Sequence, residues 1–280
     1  MIRIVLLGRT GNNLFQYALG RVLAEQHGVP LVLDGSWFNA QGWAEVSHFL
    51  RLPLKARIVR RCPLGARALR KLTHKHYWEY RGVPVLREAP DDQSFDRRFL
   101  AAPADCLVMG YFQSPLYFQG MAGLLRAELN STIAAVVRVS EDLLAKLGSA
   151  NSVAVHVRRK DYLEQPVFQI CDSHYYREAM RKMRDCLPVA RFFIFSDDPE
   201  WCRAEFREAD QEVIDLGQAA VNPLHDLHLM SLASHHIIAN SSYSWWAAWL
   251  GKKHGQQVHM PDRWYAHGIK APMEEKMLGD

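Results

Sequence analysis

The sequence predicts an α/β protein of two similar domains, each built on an open parallel sheet and facing the other across a cleft. Three observations predict it. At the N-terminus a short apolar run, Ile2–Leu7, passes through a glycine-bearing loop into an apolar-periodic stretch, Leu14–His27. A second opening of the same kind begins near residue 152. From there, strand-like runs alternate with helical stretches up to Leu250, and such alternation makes parallel sheets.

The first unit reads as strand Ile2–Leu7, loop Gly8–Asn13 and helix Leu14–His27, ended by Gly28-Val29-Pro30, with Leu31–Leu33 as the next strand. GRTGNN lacks the spacing of a dinucleotide fingerprint, so its glycines indicate only a loop shaped for close approach. Residues 34–110 are less regular. Val83–Leu86 and Cys106–Met109 read as strands and Asn39–His48 as a loop. In the second half, strand Ser152–Val157 ends in the cluster Arg158-Arg159-Lys160-Asp161. Helix Ser173–Cys186 follows, with Asp172 or Ser173 as cap. Strand Arg191–Phe195 then opens into Ser196-Asp197-Asp198-Pro199, where the proline suits a first helical turn. Val213-Ile214, His236–Ala239 and the helices Leu224–Ser234 and Ser244–Leu250 complete the alternation.

With 280 residues, 49% hydrophobic and 23% charged, the chain reads as a soluble globular protein. No signal peptide or membrane span is legible, so a cytoplasmic location is expected. The five cysteines follow no disulfide or zinc spacing. Net charge is +4, yet Arg51 to Lys75 holds nine Arg or Lys and no acid, which leaves the remainder at −5. That block fits a solvated helix face or a peripheral contact with an anionic membrane at its inner side. No reader module accompanies it, which argues against nucleic acid. Leu64, Ala68, Leu69 and Leu72 interleave with Arg67, Arg70 and Lys71 as on one two-faced helix.

Three groups could carry chemistry. Arg158 presents a rigid fork suited to phosphate oxygens, and a strand end fixes its position. His156, two residues earlier, projects to the same face. The rival reading is a solvated strand end, with arginine and aspartate of the cluster paired at the rim. Asn240-Ser241-Ser242 precede a helix, where backbone N–H groups and hydroxyls form an anion site or a simple cap. Trp245, Trp246 and Trp249 in that helix suit core packing or a sugar platform. Asp197-Asp198 could cap a helix, accept hydrogen bonds or hold a metal; no further ligands complete a metal set. His225 and His228 likewise lack a third ligand.

Several stretches resemble the bacterial α-1,2-fucosyltransferases, glycosyltransferase family 11. They are GNNLFQYALG from Gly11 to Gly20, HVRRKDY from His156 to Tyr162, FSDD from Phe195 to Asp198, and the long run from Leu229 to Leu250. The resemblance implies transfer of L-fucose from GDP-β-L-fucose to the 2-hydroxyl of a galactoside, with inversion and without metal. It implies a GT-B fold of two Rossmann-like domains. Residues 1–148 would form the acceptor side and 149–280 the GDP-sugar-binding domain, with the last helix returning to the first. Arg158 would bind the β-phosphate, His156 would lie by the nucleotide, and Asp161 would order the cluster. Asp197 or Asp198 would face the guanine, and Asn240, Ser241, Ser242 and Asn12 would complete the nucleotide site. Asp161 and Glu164 lie in the right stretch for a base. The acceptor would be a galactose-containing oligosaccharide of a surface polysaccharide, carried on lipid. Two positions depart from the pattern: Asn13 stands where glutamine is usual, and Lys160 where glycine is usual. Rival readings are a transferase for another GDP-sugar and a non-catalytic binding protein.

Overall fold

A computed structural model describes residues 1–36, 38, 48–60, 76–217 and 222–273. Two compact units divide the chain, Met1–Leu125 and Arg126–Asp280.

In the first unit β1 (Ile2–Val5) lies between β2 (Leu31–Asp34) and β5 (Cys106–Met109). β3 (Arg57–Val59) and β4 (Val85–Arg87) form the edges, giving the order β3-β2-β1-β5-β4 with every pairing parallel. The three inner strands are buried at every position, which is why their sequences read as apolar runs interrupted only by Arg3 and Asp34. Helix α1 (Thr10–His27) ends at Gly28, whose left-handed φ of 61° directs its N–H back to the Ala24 and Glu25 carbonyls. A Cβ on Gly20 would come within 2.8 Å of the Ile4 side chain, so glycine lets α1 lie close on the sheet.

The helix begins at Thr10 rather than after Asn13, so Asn12 and Asn13 sit in its first turn and not in a loop. The reason is a buried amide network. Gln16 accepts from Leu7 N–H at 3.1 Å and donates to the carbonyls of Leu7 and Gly110. Asn13 donates to Leu7 O and to Gln16 Oε1. Together they tie the ends of β1 and β5 to the start of α1.

At the end of β5 the Glu88 carboxylate accepts from Tyr111 N–H at 2.6 Å and Phe112 N–H at 3.1 Å. Phe112 is fully buried with φ at 53°, a region that costs a bulky residue energy. Glu88→Ala is expected to lower stability by roughly 2 kcal/mol through the two stranded donors. A thermal melt unshifted from wild type would show that the carboxylate is dispensable there.

The second unit is centred on β6 (Ser152–Val157), between β7 (Arg191–Ser196) and β9 (His235–Ile237). Edge strands β8 (Gln211–Val213) and β10 (Val258–His259) complete an all-parallel sheet in the order β10-β9-β6-β7-β8. Its helices are α2 (Ala122–Ala134), which starts just before the division, α3 (Glu141–Leu147), the short α4 (Lys160–Leu163), α5 (Ser173–Cys186), α6 (Pro199–Glu205), α7 (Pro223–Leu232) and α8 (Ser242–Leu250). Asp172 caps α5, which buries Tyr176, Ala179, Met180 and Met183 at helical spacing against Val153, Val155, Phe192 and Ile194. Trp245, Trp246 and Trp249 are at most 3% exposed, so they belong to the core and offer no platform for a sugar.

The division after Leu125 precedes the boundary expected near 148. The α2 and α3 segment packs with the second unit: Arg126 Nε donates to Trp249 O at 2.8 Å and Asn130 to Leu250 O at 3.0 Å. Those bonds satisfy the last carbonyls of α8, which would otherwise lack partners. Two short strands were not expected. β3 and β10 are short edge strands, and Arg57–Val59 of the basic block is one of them. The expected helix within 64–72 and most of the loop 39–48 lie outside the described residues. No α-helix follows α8 among the described residues, and 274–280 lie outside them. No described helix is long and apolar enough to cross a membrane.

Candidate active site

In the second sheet the chain leaves β6 toward β7 and later crosses to β9 on the other side, so the strand order reverses between β6 and β9. At such a switch point the loops beyond the carboxyl ends of the strands part and leave a crevice. Three of the sequence-derived groups meet at this edge: Arg158–Asp161 after β6, Asp197-Asp198 after β7, and Asn240–Ser242 after β9. Asn12 belongs to the first unit, where it accepts a hydrogen bond from Gln113 at 3.2 Å. Gly8, at φ 70° and with Asn12 against its backbone, allows that turn.

Arg158 is held from two sides. Its Nη2 lies 2.6 Å from Asp161 and its Nη1 3.1 Å from Asp197. Burial works against its charge, but Asp197 and Asp161 outweigh it and raise its pKa. The fork is therefore charged and aimed before any ligand arrives. Arg159 turns the other way. Its guanidinium lies 3.7 Å from the Trp201 ring centroid and 3.1 Å from Asp198. Asp197 also accepts from Arg159 N–H, and Asp198 caps α6 through Trp201 N–H. The acidic pair thus holds the two arginines and a helix end. Lys160 is exposed at the start of α4, and its φ is not positive, so the backbone there does not call for the usual glycine.

His156 is 5% exposed near the end of β6, its ring 5.5 Å from that of Tyr243. Burial, helped by Arg158, pushes its pKa down to about 3. The imidazole stays neutral at physiological pH and is a poor base. Its Nδ1 is buried without a partner among the described residues.

Asn240 is a hub rather than an open donor. Its amide donates to Phe168 O at 3.1 Å and Trp264 O at 3.0 Å, while its own carbonyl accepts from the Tyr162 hydroxyl. Ser241 and Ser242 begin α8, which no side chain caps. The positive end of that helix faces the switch point as a place for an anion.

One group escaped the sequence reading. Asp226, in the first turns of α7, forms no hydrogen bond or ion pair among the described residues. Burial, with a smaller push from Asp215, raises its pKa to about 6. Its charge acts on Tyr243, the residue beside His156, whose hydroxyl donates to Pro223 O. A half-apolar helix pattern hides such a carboxylate; only an acid at an otherwise core-facing position could have signalled it. Among the described residues no group of three His, Cys, Asp or Glu could hold a metal, His225 and His228 included.

The sequence model of Glycosyl transferase family 11 matches residues 90–277. The chain belongs to that family. This family 11 chain is 36% identical over 147 residues to an alpha-1,2-colitosyltransferase of Escherichia coli, covering 51% of the chain and 50% of that protein. It is 32% identical over 103 residues to galactoside alpha-(1,2)-fucosyltransferase 1 of Saimiri boliviensis boliviensis, covering 35% of the chain and 28% of that protein. The chain thus spans half or less of the length of these curated relatives. Among solved structures it resembles NodZ alpha-1,6-fucosyltransferase co-crystallized with GDP, with a TM-score of 0.52 at 17% identity over 89% of the chain and 92% of that one. At that identity the likeness establishes the fold class alone, GT-B with two Rossmann-like units.

Proposed function

We propose that the chain transfers L-fucose from GDP-β-L-fucose to the 2-hydroxyl of a galactoside, forming an α-1,2 linkage with inversion. The observation that carries this reading is the Arg158 fork, oriented by Asp161 and Asp197 at the switch point beside the uncapped start of α8. Family membership and a neighbour solved with GDP support a GDP-sugar there. A galactoside fucosyltransferase relative supports the acceptor. The colitosyltransferase relative favours a second reading, in which the donor sugar is colitose. Both sugars carry a methyl group in place of the C6 hydroxymethyl.

As the bond from the anomeric carbon to the diphosphate breaks, negative charge grows on GDP. Arg158 and the N–H groups opening α8 stabilise it, fixed in place beforehand, as effective transition-state donors are. The guanine edge presents two donors, N1–H and the 2-amino group, which match an unengaged carboxylate. Asp226 is that carboxylate in our reading, because the oxygens of Asp197 and Asp198 already hold Arg158, Arg159 and α6. Asp161 is likewise committed, to Arg158.

A screen of GDP-sugars against galactosides, with product linkage read by NMR, tests the function. Turnover of GDP-fucose in the presence of EDTA is expected, since Arg158 fills the charge-neutralising part a cation plays elsewhere. Activity that disappears with EDTA and returns with Mg²⁺ or Mn²⁺ would remove the metal-free mechanism. Turnover of GDP-colitose alone would select the second reading.

A further inference from the structure

Beside Arg158 three aromatic rings run in series along the edge of the second unit. Tyr162 and Phe168 are stacked, with centroids 4.8 Å apart and planes 23° from parallel. Phe168 and Tyr265 follow at 5.8 Å and 47°. The Tyr162 end lies under the guanidinium, 5.5 Å from its carbon to the ring centroid. All three rings are partly exposed, unlike the fully buried tryptophans of α8.

The series is fastened from behind. Asn240 bonds the backbones of Phe168 and Trp264 at once, Ala266 N–H donates to Val167 O at 2.9 Å, and the Tyr162 hydroxyl is spent on Asn240 O. Two segments about a hundred residues apart are stitched so that the rings keep one arrangement. Because its hydroxyl is engaged, and Phe168 and Arg158 lie against its ring, Tyr162 offers a ligand its ring edge rather than its polar tip. Pre-positioned aromatic rings beside a charged anchor are the usual make-up of a small-molecule site.

We propose that Tyr162, Phe168 and Tyr265 form the surface that reads the methyl group of a 6-deoxyhexose on the donor. This rests on the GDP-sugar reading above. A sugar esterified to the phosphate that Arg158 holds begins within reach of the ring nearest that arginine. A 6-deoxyhexose carries a methyl where its parent hexose carries a hydroxymethyl, so its C5–C6 side is continuously apolar. Laid along the exposed ring edges it covers them. The parent hexose would bring a hydroxyl against aromatic carbon and lose its water without a replacement partner. Phe168, the middle ring, is then a specificity-determining residue, and Asn240 positions it.

GDP-L-fucose and GDP-L-galactose differ by the hydroxyl at C6 alone, which makes them the test pair. Wild type is expected to prefer the fucosyl donor by up to about 10²-fold in kcat/KM, the usual ceiling for an apolar pocket against an added hydroxyl. In Phe168→Leu, which keeps apolar bulk but removes the ring, that preference should fall roughly 5- to 10-fold. GDP affinity by calorimetry should stay within about 2-fold of wild type, and Phe168→Trp should keep the preference. An unchanged preference in Phe168→Leu with intact GDP binding overturns the ring proposal alone, as does a change confined to the acceptor KM. Equal losses for GDP and GDP-L-fucose would show that the rings merely support the phosphate clamp. Failure of wild type to bind GDP strikes the nucleotide reading itself, and the ring proposal with it.

Discussion

Arg158→Ala should reduce kcat/KM by roughly 10²-fold or more, because a donor aimed at developing charge contributes about 3 kcal/mol to the transition state. The structure makes the expectation specific to this arginine. Arg159 is committed to Trp201 and Asp198, so it cannot swing in as a substitute. Lysine at 158 should rescue poorly, since a point charge cannot bond Asp161, Asp197 and a phosphate in one plane. Removing the guanidinium also leaves Asp161 and Asp197 without their shared counterion. A melting curve run beside the kinetics separates lost catalysis from lost fold. Near wild-type kcat/KM in a folded Arg158→Ala variant would place the phosphate elsewhere.

The second large effect is expected at Asp226. Asp226→Asn should weaken GDP binding by roughly 10²-fold, since hydrogen bonds to a charged group are the strong ones. Its pH dependence follows from the raised pKa of about 6. The ligand-free carboxyl is protonated below that value and then cannot pair with two guanine donors. GDP affinity should therefore fall more steeply as pH drops through about 6 in wild type than in the Asn variant, which keeps only the protonation of the terminal phosphate of GDP. Stability without ligand runs the opposite way: a carboxyl raised by burial favours the folded state most when protonated, and that contribution fades as pH rises through 6. Calorimetric titration with GDP at several pH values reads the first effect. A wild-type affinity flat across that range would remove Asp226 from the base site.

Much of this architecture is legible in the sequence because the physical signals are local. β6 and α5 run over the residues their valine alternation and apolar spacing mark, and Asp172 caps as its residue type suggests. Strand β5 likewise occupies its four apolar positions. The short edge strands β3 and β10 were not legible. Arg57–Val59 is partly exposed and borrows its register from β2, a dependence no local pattern encodes. At the site, the sequence identifies which strand ends gather polar groups but not how those groups divide their bonds. Asp197 and Asp198 read as ligand residues in sequence, which does not show that they also hold Arg158 and Arg159, close in space and about forty residues earlier. Asn240 looks like an anion donor until its amide is found holding Phe168 and Trp264. Such competition between partners is a three-dimensional fact.

The bonds from Arg126 and Asn130 to the end of α8 carry a consequence for modular recombination. The tryptophan-rich helix whose start faces the proposed diphosphate has its far end finished by side chains that precede β6 by more than one helix. Exchanging nucleotide modules between relatives at residue 148 would leave those two side chains with the wrong parent, and the helix would inherit carbonyls fitted to another α2. A seam before Ala122 keeps the helix and its finishing residues on one piece. Chimaeras joined there carry the proposed donor site across with both of its ends intact.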